Sequence, residues 1–377
     1  MARAFEEGTP DMANDVHTFT RFDYLSDEIW EVERERIFHR GWFLAARGDT
    51  LGPGNRTVVD VAGESVLITR NLDGSLHAFA NVCRHRGARL CDAHSDSGQG
   101  SLMCPYHAWT YALDGRLIAT PHLSDDDVDK STLPLWKYHV RDWEGFVFVS
   151  LAAEPPDFDT WMQHNATELL ALHRWGFGNL KVAVTSWCDI EANWKIVMEN
   201  YQECLHCTRV HPELVEIVPL YRSGNVVDAS RADGGVRLAF GNSFSNLPVD
   251  LPLLPGLDAD DAVSYFGGTI FPNAFIDVTG TSAIVSTLFP KGPNRTSMRM
   301  EYLFHPDTIA MPGFDPTAIV EFSDLVAAQD NIVCERVQQG VASRAFEHGV
   351  LSPKDDLVVA FMEHYLDARG PLEARSA

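Results

Sequence analysis

"NVCRHRGARL" (Asn81–Leu90) and "LMCPYHAWTY" (Leu102–Tyr111) each hold one cysteine and one histidine, spaced C-x-H in the first and C-x-x-H in the second. Zinc is the first thought for two cysteines and two histidines. Zinc-finger ligands, however, usually come as C-x-x-C followed by a separated histidine pair. Two loops that each offer one sulfur and one nitrogen suit two metal atoms, one held by Cys83 and Cys104 and the other by His85 and His107. That is the ligation of a mixed thiolate–imidazole [2Fe–2S] cluster, with zinc as the alternative. Neutral imidazoles in place of two anionic thiolates make the reduced cluster less disfavoured, raising its potential by roughly hundreds of millivolts. Gly87 and Pro105 allow tight loops, and the histidines are expected nearer the surface than the cysteines. Cys91 and His94 lie close by as a competing pair.

Around these loops, short β-branched runs are broken by Ala-Gly and Asp-Gly, from "RTVVDVAGESVLITRNLDGSLHAFANV" through "YALDGRLIAT" to "WEGFVFVSL". These are hairpin signals, and they predict an all-β unit over residues 45–152. Upstream, "YLSDEIWEVERERIF" (Tyr24–Phe38) reads as an amphipathic helix capped by Ser26, so residues 1–44 are expected to join the second unit. "AAEPPDF" is the linker. Over 153–377, "FDTWMQHNATELLALHRW", "NWKIVMENYQECLHC" and "DPTAIVEFSDLVAAQDNIVCERVQQGVAS" read as helices. "KVAVTSWCDIEA", "VRLAF", "YFGGTIFPNAFIDVTG", "SAIVSTLFP" and "TSMRMEYLF" read as antiparallel strands. The chain as a whole is expected to be α+β, its second unit packing helices on an antiparallel sheet.

Composition narrows the function. The 377 residues carry a net charge of -23, the wrong sign for a nucleic-acid partner. No apolar run reaches the length of a membrane span, and the N-terminus has acidic residues and no apolar core, so a cytoplasmic protein is expected. Seven cysteines, an odd number in a long chain, favour metal binding over a disulfide framework.

A second constellation lies downstream. On "NWKIVMENYQECLHC", Trp194, Val197, Met198, Tyr201 and Leu205 form an apolar stripe opposite Glu199, Glu203 and His206. His211 follows, and Pro212 turns the chain away. On the long C-terminal helix, Phe322, Val326, Val333 and Val337 form an apolar stripe that also contains Asp330. A carboxylate on a buried stripe is costly unless paired or bound to metal, so Asp330 is nominated over Asp324. His206, His211 and Asp330 then make two histidines plus one carboxylate, the facial triad of non-haem Fe(II) oxygenases.

Taken together, "CRHRGA", "CPYHAWTY", "NWK…ENYQECLHC…HP" and "QDN…Q" resemble, in order, the blocks of the catalytic α subunits of Rieske non-haem iron oxygenases. The resemblance covers nearly the whole chain. It implies a Rieske domain and a helix-grip catalytic domain. It further implies Cys83, His85, Cys104 and His107 on the cluster, and His206, His211 and Asp330 on a mononuclear iron. Glu203 takes the place of the acid that bridges the two centres across a subunit boundary, which implies a trimer or a multiple of it. Two departures stand out. Ala108 replaces a frequent glycine and would narrow its loop. Glu203 replaces the aspartate usual in ring-dihydroxylating members, and so resembles members that oxidise quaternary ammonium compounds.

The function expected is the terminal oxygenase of a multicomponent enzyme that hydroxylates or N-demethylates a small molecule with O2. Aromatic ring hydroxylation is one alternative, and a Rieske electron carrier without oxygenation another. No G-x-G-x-x-G follows any strand, so a separate NAD(P)H-dependent reductase must supply electrons. Cys204-x-x-Cys207 is read as packing beside His206. Asn200 points either into the pocket or to a polar face. Phe266, Phe271, Phe275 and Trp187 are read as core, some of them lining a pocket whose aromatic faces would suit a cation.

Overall fold

The structure, a computed structural model, describes residues 16–92, 100–231 and 234–372. Turn chemistry sets its first half. Ala62 and Gly63 (φ 49° and 92°) and Glu144 and Gly145 (φ 47° and 81°) are left-handed pairs, the backbone that closes a two-residue hairpin with the right twist. They join Arg56–Val61 to Glu64–Arg70 and Lys137–Trp143 to Phe146–Ser150. The resulting six-stranded antiparallel sheet runs Phe43–Arg47, Phe146–Ser150, Lys137–Trp143, Leu76–Ala80, Glu64–Arg70, Arg56–Val61. A three-stranded sheet, Ser101–Met103, Thr110–Ala112 and Leu117–Ala119, packs beside it through Leu67, Phe79, Leu102, Tyr111 and Leu117.

The two cysteine loops repeat one backbone design. Cys83 N–H donates to Ala88 O and Cys104 N–H to Trp109 O, both at 2.8 Å. Gly87 and Ala108 each return an N–H to the cysteine carbonyl at 3.0 Å. Both return residues are left-handed, with φ 73° at Gly87 and 56° at Ala108. The alanine therefore acts on backbone conformation rather than on loop width. Left-handed backbone costs an alanine about 1 kcal/mol, partly offset by the looser unfolded chain of a glycine variant. Ala108→Gly is expected to raise stability by about 0.5 kcal/mol, read as a later midpoint in denaturant followed by visible absorbance.

In the second half, an antiparallel sheet runs Lys181–Ile190, Arg295–Phe304, Ala283–Gly292, Ala274–Val278, Ser264–Ile270, Val236–Arg237. The long helix Thr317–Val341 lies against it, pinned by Asp324, whose carboxylate accepts from the Ser186 and Tyr302 hydroxyls at 2.8 Å each. Its buried face is Ile319, Phe322, Ser323, Cys334, Gln338 and Val341. Val337, expected there, is 42% exposed.

Segments far apart in sequence meet here. Val16–His17 pairs with Val350–Leu351. The helix Asp27–Glu33, capped by Ser26 as expected, delivers Glu33 into the interior. There its carboxylate accepts from Trp194 Nε1 (2.9 Å), Lys195 Nζ (2.5 Å) and the hydroxyl of Tyr365 (2.7 Å), the last on the C-terminal helix Asp356–Arg369.

Several expectations need correction. The single helix expected over residues 158–175 breaks at Ala166 into Phe158–Asn165, Thr167–Ala171 and a short turn, because the Asn165 carbonyl accepts from Phe271 N–H (2.8 Å) instead of continuing the helix. "VRLAF" is strand only at Val236–Arg237. Trp187 is 60% exposed, stacked on Phe289 rather than in the core. His94 lies outside the described residues. Cys91 is buried, its backbone held by Asn81.

Candidate active site

The helix Trp194–Tyr201 starts where Asn193 caps it. Asn193 Oδ1 accepts from Lys195 N–H (2.9 Å), while Nδ2 donates to the carbonyls of Tyr24 and Pro293, both at 2.8 Å. Trp194, Val197 and Met198 are buried as the apolar spacing requires. The helix stops earlier than the sequence suggests. Beyond Tyr201 the Glu203 carboxylate accepts from the backbone N–H groups of Leu205 and His206, offering them an alternative to helical bonds. Glu203 and His206 therefore sit in a turn rather than on a helical stripe, and Leu205 is exposed. The same turn brings the Cα atoms of Cys204 and Cys207 to 4.9 Å, and the pair forms a disulfide that bracketed packing alone did not anticipate.

His206, His211 and Asp330 come together, one ligand atom of each lying within 4.8 Å of the others. Asp330 Oδ1 is 2.8 Å from His211 Nε2 and 3.3 Å from His206 Nε2. The far nitrogens are tied off: His206 Nδ1 donates to Glu203 Oε1 (2.5 Å) and His211 Nδ1 to Gln329 Oε1 (2.8 Å). Both imidazoles thus present Nε2 to the carboxylate, the orientation that outer hydrogen bonds impose on metal-binding histidines. Gln329 was not singled out in the sequence. It stood in the quoted block "QDN…Q" beside Asp330 without a role, because its partner His211 is 118 positions away.

Electrostatics fit a site that attracts positive charge. Burial opposes a charged His206, but hydrogen bonds and charges from Asp330 and Glu203 outweigh it and hold the imidazole up to about 9. Burial likewise opposes a charged Asp330, yet bonds from His206 and His211 pull its carboxyl below the usual range. Two imidazoles and a carboxylate arranged in this way suit a divalent metal of the ferrous type.

Glu199, expected on a polar face, is enclosed and accepts from the Tyr24 hydroxyl at 2.8 Å. Burial, opposed by Tyr24 and Lys195, pushes its carboxyl from 4.5 up to about 8. The folded protein keeps this proton where the unfolded chain loses it, so stability falls as pH rises from 4.5 through about 8. Glu199→Gln keeps a neutral acceptor for Tyr24. It is expected to match the parent's thermal unfolding at acidic pH and to exceed it by about 5 kcal/mol above pH 8.

The three residues open on a cavity of about 320 Å³, which Asn200, Phe266 and Phe275 also line. Phe271 is buried core.

At the other site, Cys83 and Cys104 are 1% and 2% exposed, while His85 is exposed and His107 partly so. Trp109 stacks on His85 (4.6 Å between centroids), and the two imidazoles lie 4.6 Å apart. Tyr111 OH is 3.4 Å from Cys83 Sγ. Two observations fit a bound cationic cluster. His107 Nδ1 is buried without a hydrogen-bond partner, and burial pushes the Cys83 thiol up, so that a thiolate there needs a metal to hold it.

Two family models match the chain. "Ring hydroxylating alpha subunit (catalytic domain)" matches residues 177–370, and "Rieske [2Fe-2S] domain" matches residues 41–138. The glycine betaine monooxygenase oxygenase subunit of Pseudomonas aeruginosa is 30% identical over 376 residues, covering 91% of this chain and 86% of that one. The carnitine monooxygenase oxygenase subunit of Acinetobacter pittii is 33% identical over 211 residues, 55% of this chain and 56% of its own. Among solved structures, the quaternary ammonium Rieske monooxygenase CntA superposes with a TM-score of 0.78 at 24% identity, covering 95% of this chain and 96% of that one. Naphthalene 1,2-dioxygenase from Rhodococcus sp. does so with 0.72 at 18% identity, covering 96% and 95%.

Proposed function

This chain belongs to the Rieske-type ring-hydroxylating oxygenase family, as the terminal oxygenase component of a multicomponent enzyme, and from that premise we propose that it oxidises a methyl carbon of a small quaternary ammonium or N-methylated compound. The enzyme uses a Rieske [2Fe–2S] cluster and a mononuclear iron, and it works with a separate reductase. No helix among the described residues is long and apolar enough to cross a membrane.

The observation that carries the reading is the convergence of His206, His211 and Asp330 on one point of a cavity wall, with each imidazole steered by its far nitrogen. In this proposal those three hold the iron, and Cys83, His85, Cys104 and His107 hold the cluster. When bound, the cluster would supply single electrons and the ferrous ion would supply the redox-active centre that O2 chemistry needs. Glu203 and Gln329 keep the Nδ1 protons of the two histidines. One oxygen atom enters the methyl group and the other leaves as water, with two electrons from the reductase and two protons. The hydroxymethyl amine then collapses to an aldehyde and the shortened amine. Residues 45–152 form the electron-accepting unit, 153–377 the catalytic unit, and 1–44 join the latter. Assembly is a trimer or a multiple of it, placing Glu203 at a subunit boundary, and the location is the cytoplasm. Support comes from Glu203 itself, from the 30% identity to a glycine betaine oxygenase subunit and from the 33% identity to a carnitine one.

O2 uptake with a surrogate reductase tests this. Uptake coupled to aldehyde release from N-methyl compounds is expected. Uptake coupled only to a diol or phenol from aromatic compounds overturns the substrate class. Iron quantitation giving about two rather than about three atoms per chain overturns oxygenation.

A further inference from the structure

The cavity that opens on His206, His211 and Asp330 carries a further carboxylate with no role in that trio. Asp277, on the strand Ala274–Val278, lines the cavity, and its Oδ1 accepts from the hydroxyls of Tyr201 (2.8 Å) and Tyr265 (2.5 Å). Gly267 makes this convergence possible. A Cβ there would stand 2.8 Å from the Tyr201 hydroxyl and 3.3 Å from that of Tyr265. Among the described residues no cationic side chain pairs with Asp277, and its Oδ2 accepts no hydrogen bond.

Further aromatic rings pack on the two tyrosines that hold it. Phe275 stacks on Tyr201 (4.2 Å between centroids), Phe244 on Tyr265 (5.4 Å), and Tyr221 meets Tyr265 edge-on. The acidic residues lining the cavity are Glu168, Glu203, Asp277 and Asp330, with no lysine or arginine among the described lining residues. A carboxylate beside aromatic side chains attracts a positive nitrogen, and no lysine or arginine stands among the described lining residues to receive a substrate carboxylate. Burial pushes the Asp277 carboxyl up to about 6, while the hydroxyls of Tyr265 and Tyr201 pull the other way, and a cation beside it would favour the charged form further. The titratable groups facing it are Tyr201, Tyr221 and Tyr265, all of which burial keeps protonated.

We propose that Asp277, held by Tyr201 and Tyr265, is the counter-charge for the substrate's cationic nitrogen, and that the cavity selects a net cation lacking a carboxylate over a zwitterionic betaine. This rests on the N-methyl substrate reading above and narrows it.

Binding to the iron-loaded enzyme, measured by calorimetry without turnover, tests it with three isosteric probes: choline, glycine betaine and neutral 3,3-dimethylbutanol. Choline is expected to bind at least ~10-fold tighter than either of the others. Asp277→Asn is expected to weaken choline by ~100-fold while leaving the neutral probe unchanged. Gly267→Ala, which displaces the tyrosine hydroxyls, is expected to act in the same direction. Glycine betaine binding as tightly as choline in the unaltered enzyme overturns the present inference and leaves the N-methyl reading standing. The neutral probe binding as tightly as choline, or choline not binding at all, also overturns the counter-charge role of Asp277, while the N-methyl reading is decided separately by the O2-uptake assay above. A variant that loses the neutral probe as well reports damage to the cavity, and the comparison of probes on the unaltered enzyme then decides alone.

Discussion

Asp330→Ala is expected to take the iron content from about three atoms per chain to about two, with the cluster's visible absorbance unchanged and product formation reduced more than ~100-fold. The argument is local. Asp330 Oδ1 is the anionic donor nearest both Nε2 atoms, at 2.8 and 3.3 Å, and without it two neutral imidazoles face the cavity with nothing to offset a divalent charge. Asp324→Ala is the control. That carboxylate sits on the same helix but is engaged by Ser186 and Tyr302, so its loss is expected to lower stability and keep the iron. Iron retained at the mononuclear site of Asp330→Ala would mean that the third ligand is a different residue.

Glu203→Gln is expected to leave both metal sites filled and to slow coupled turnover on the order of 10²-fold, with the cluster still reduced normally by the reductase. Glu203 Oε1 holds the Nδ1 proton of His206 at 2.5 Å, and Oε2 gathers the backbone of the turn that carries this histidine. The amide keeps an acceptor for the Nδ1 proton but loses the negative charge that makes the imidazole a more basic donor at Nε2. Glu203→Asp separates charge from reach: the shorter side chain keeps the charge and withdraws it by one methylene. Full coupled turnover in the glutamine variant would remove Glu203 from any part in linking the two centres.

How far the sequence could be read depended on whether a signal was local. The two cysteine–histidine loops were legible because each ligand pair sits within four residues and the flanking Ala-Gly and Asp-Gly turns announce hairpins. Asp330 was legible because a charge on an apolar helical stripe is an anomaly in itself. The end of the helix at Tyr201 was not, because it depends on the Glu203 side chain capturing two backbone N–H groups, which helical periodicity cannot express. The break at Ala166 depends on a hydrogen bond to Phe271, more than a hundred positions away. Gln329 and Asp277 gain their meaning only from partners on other elements, His211 for one and Tyr201 and Tyr265 for the other.

The Glu33 carboxylate bears on any attempt to recombine this protein with its relatives. It ties together a segment from before the cluster-bearing sheets, the first turn of the helix leading to His206, and the helix Asp356–Arg369. A graft that began at the linker near residue 153 would carry Lys195 without its counterpart, and a stranded interior charge costs about 3–5 kcal/mol. Swaps of specificity in this scaffold must therefore transplant the leading forty residues and the closing helix together, or confine themselves to the walls of the cavity.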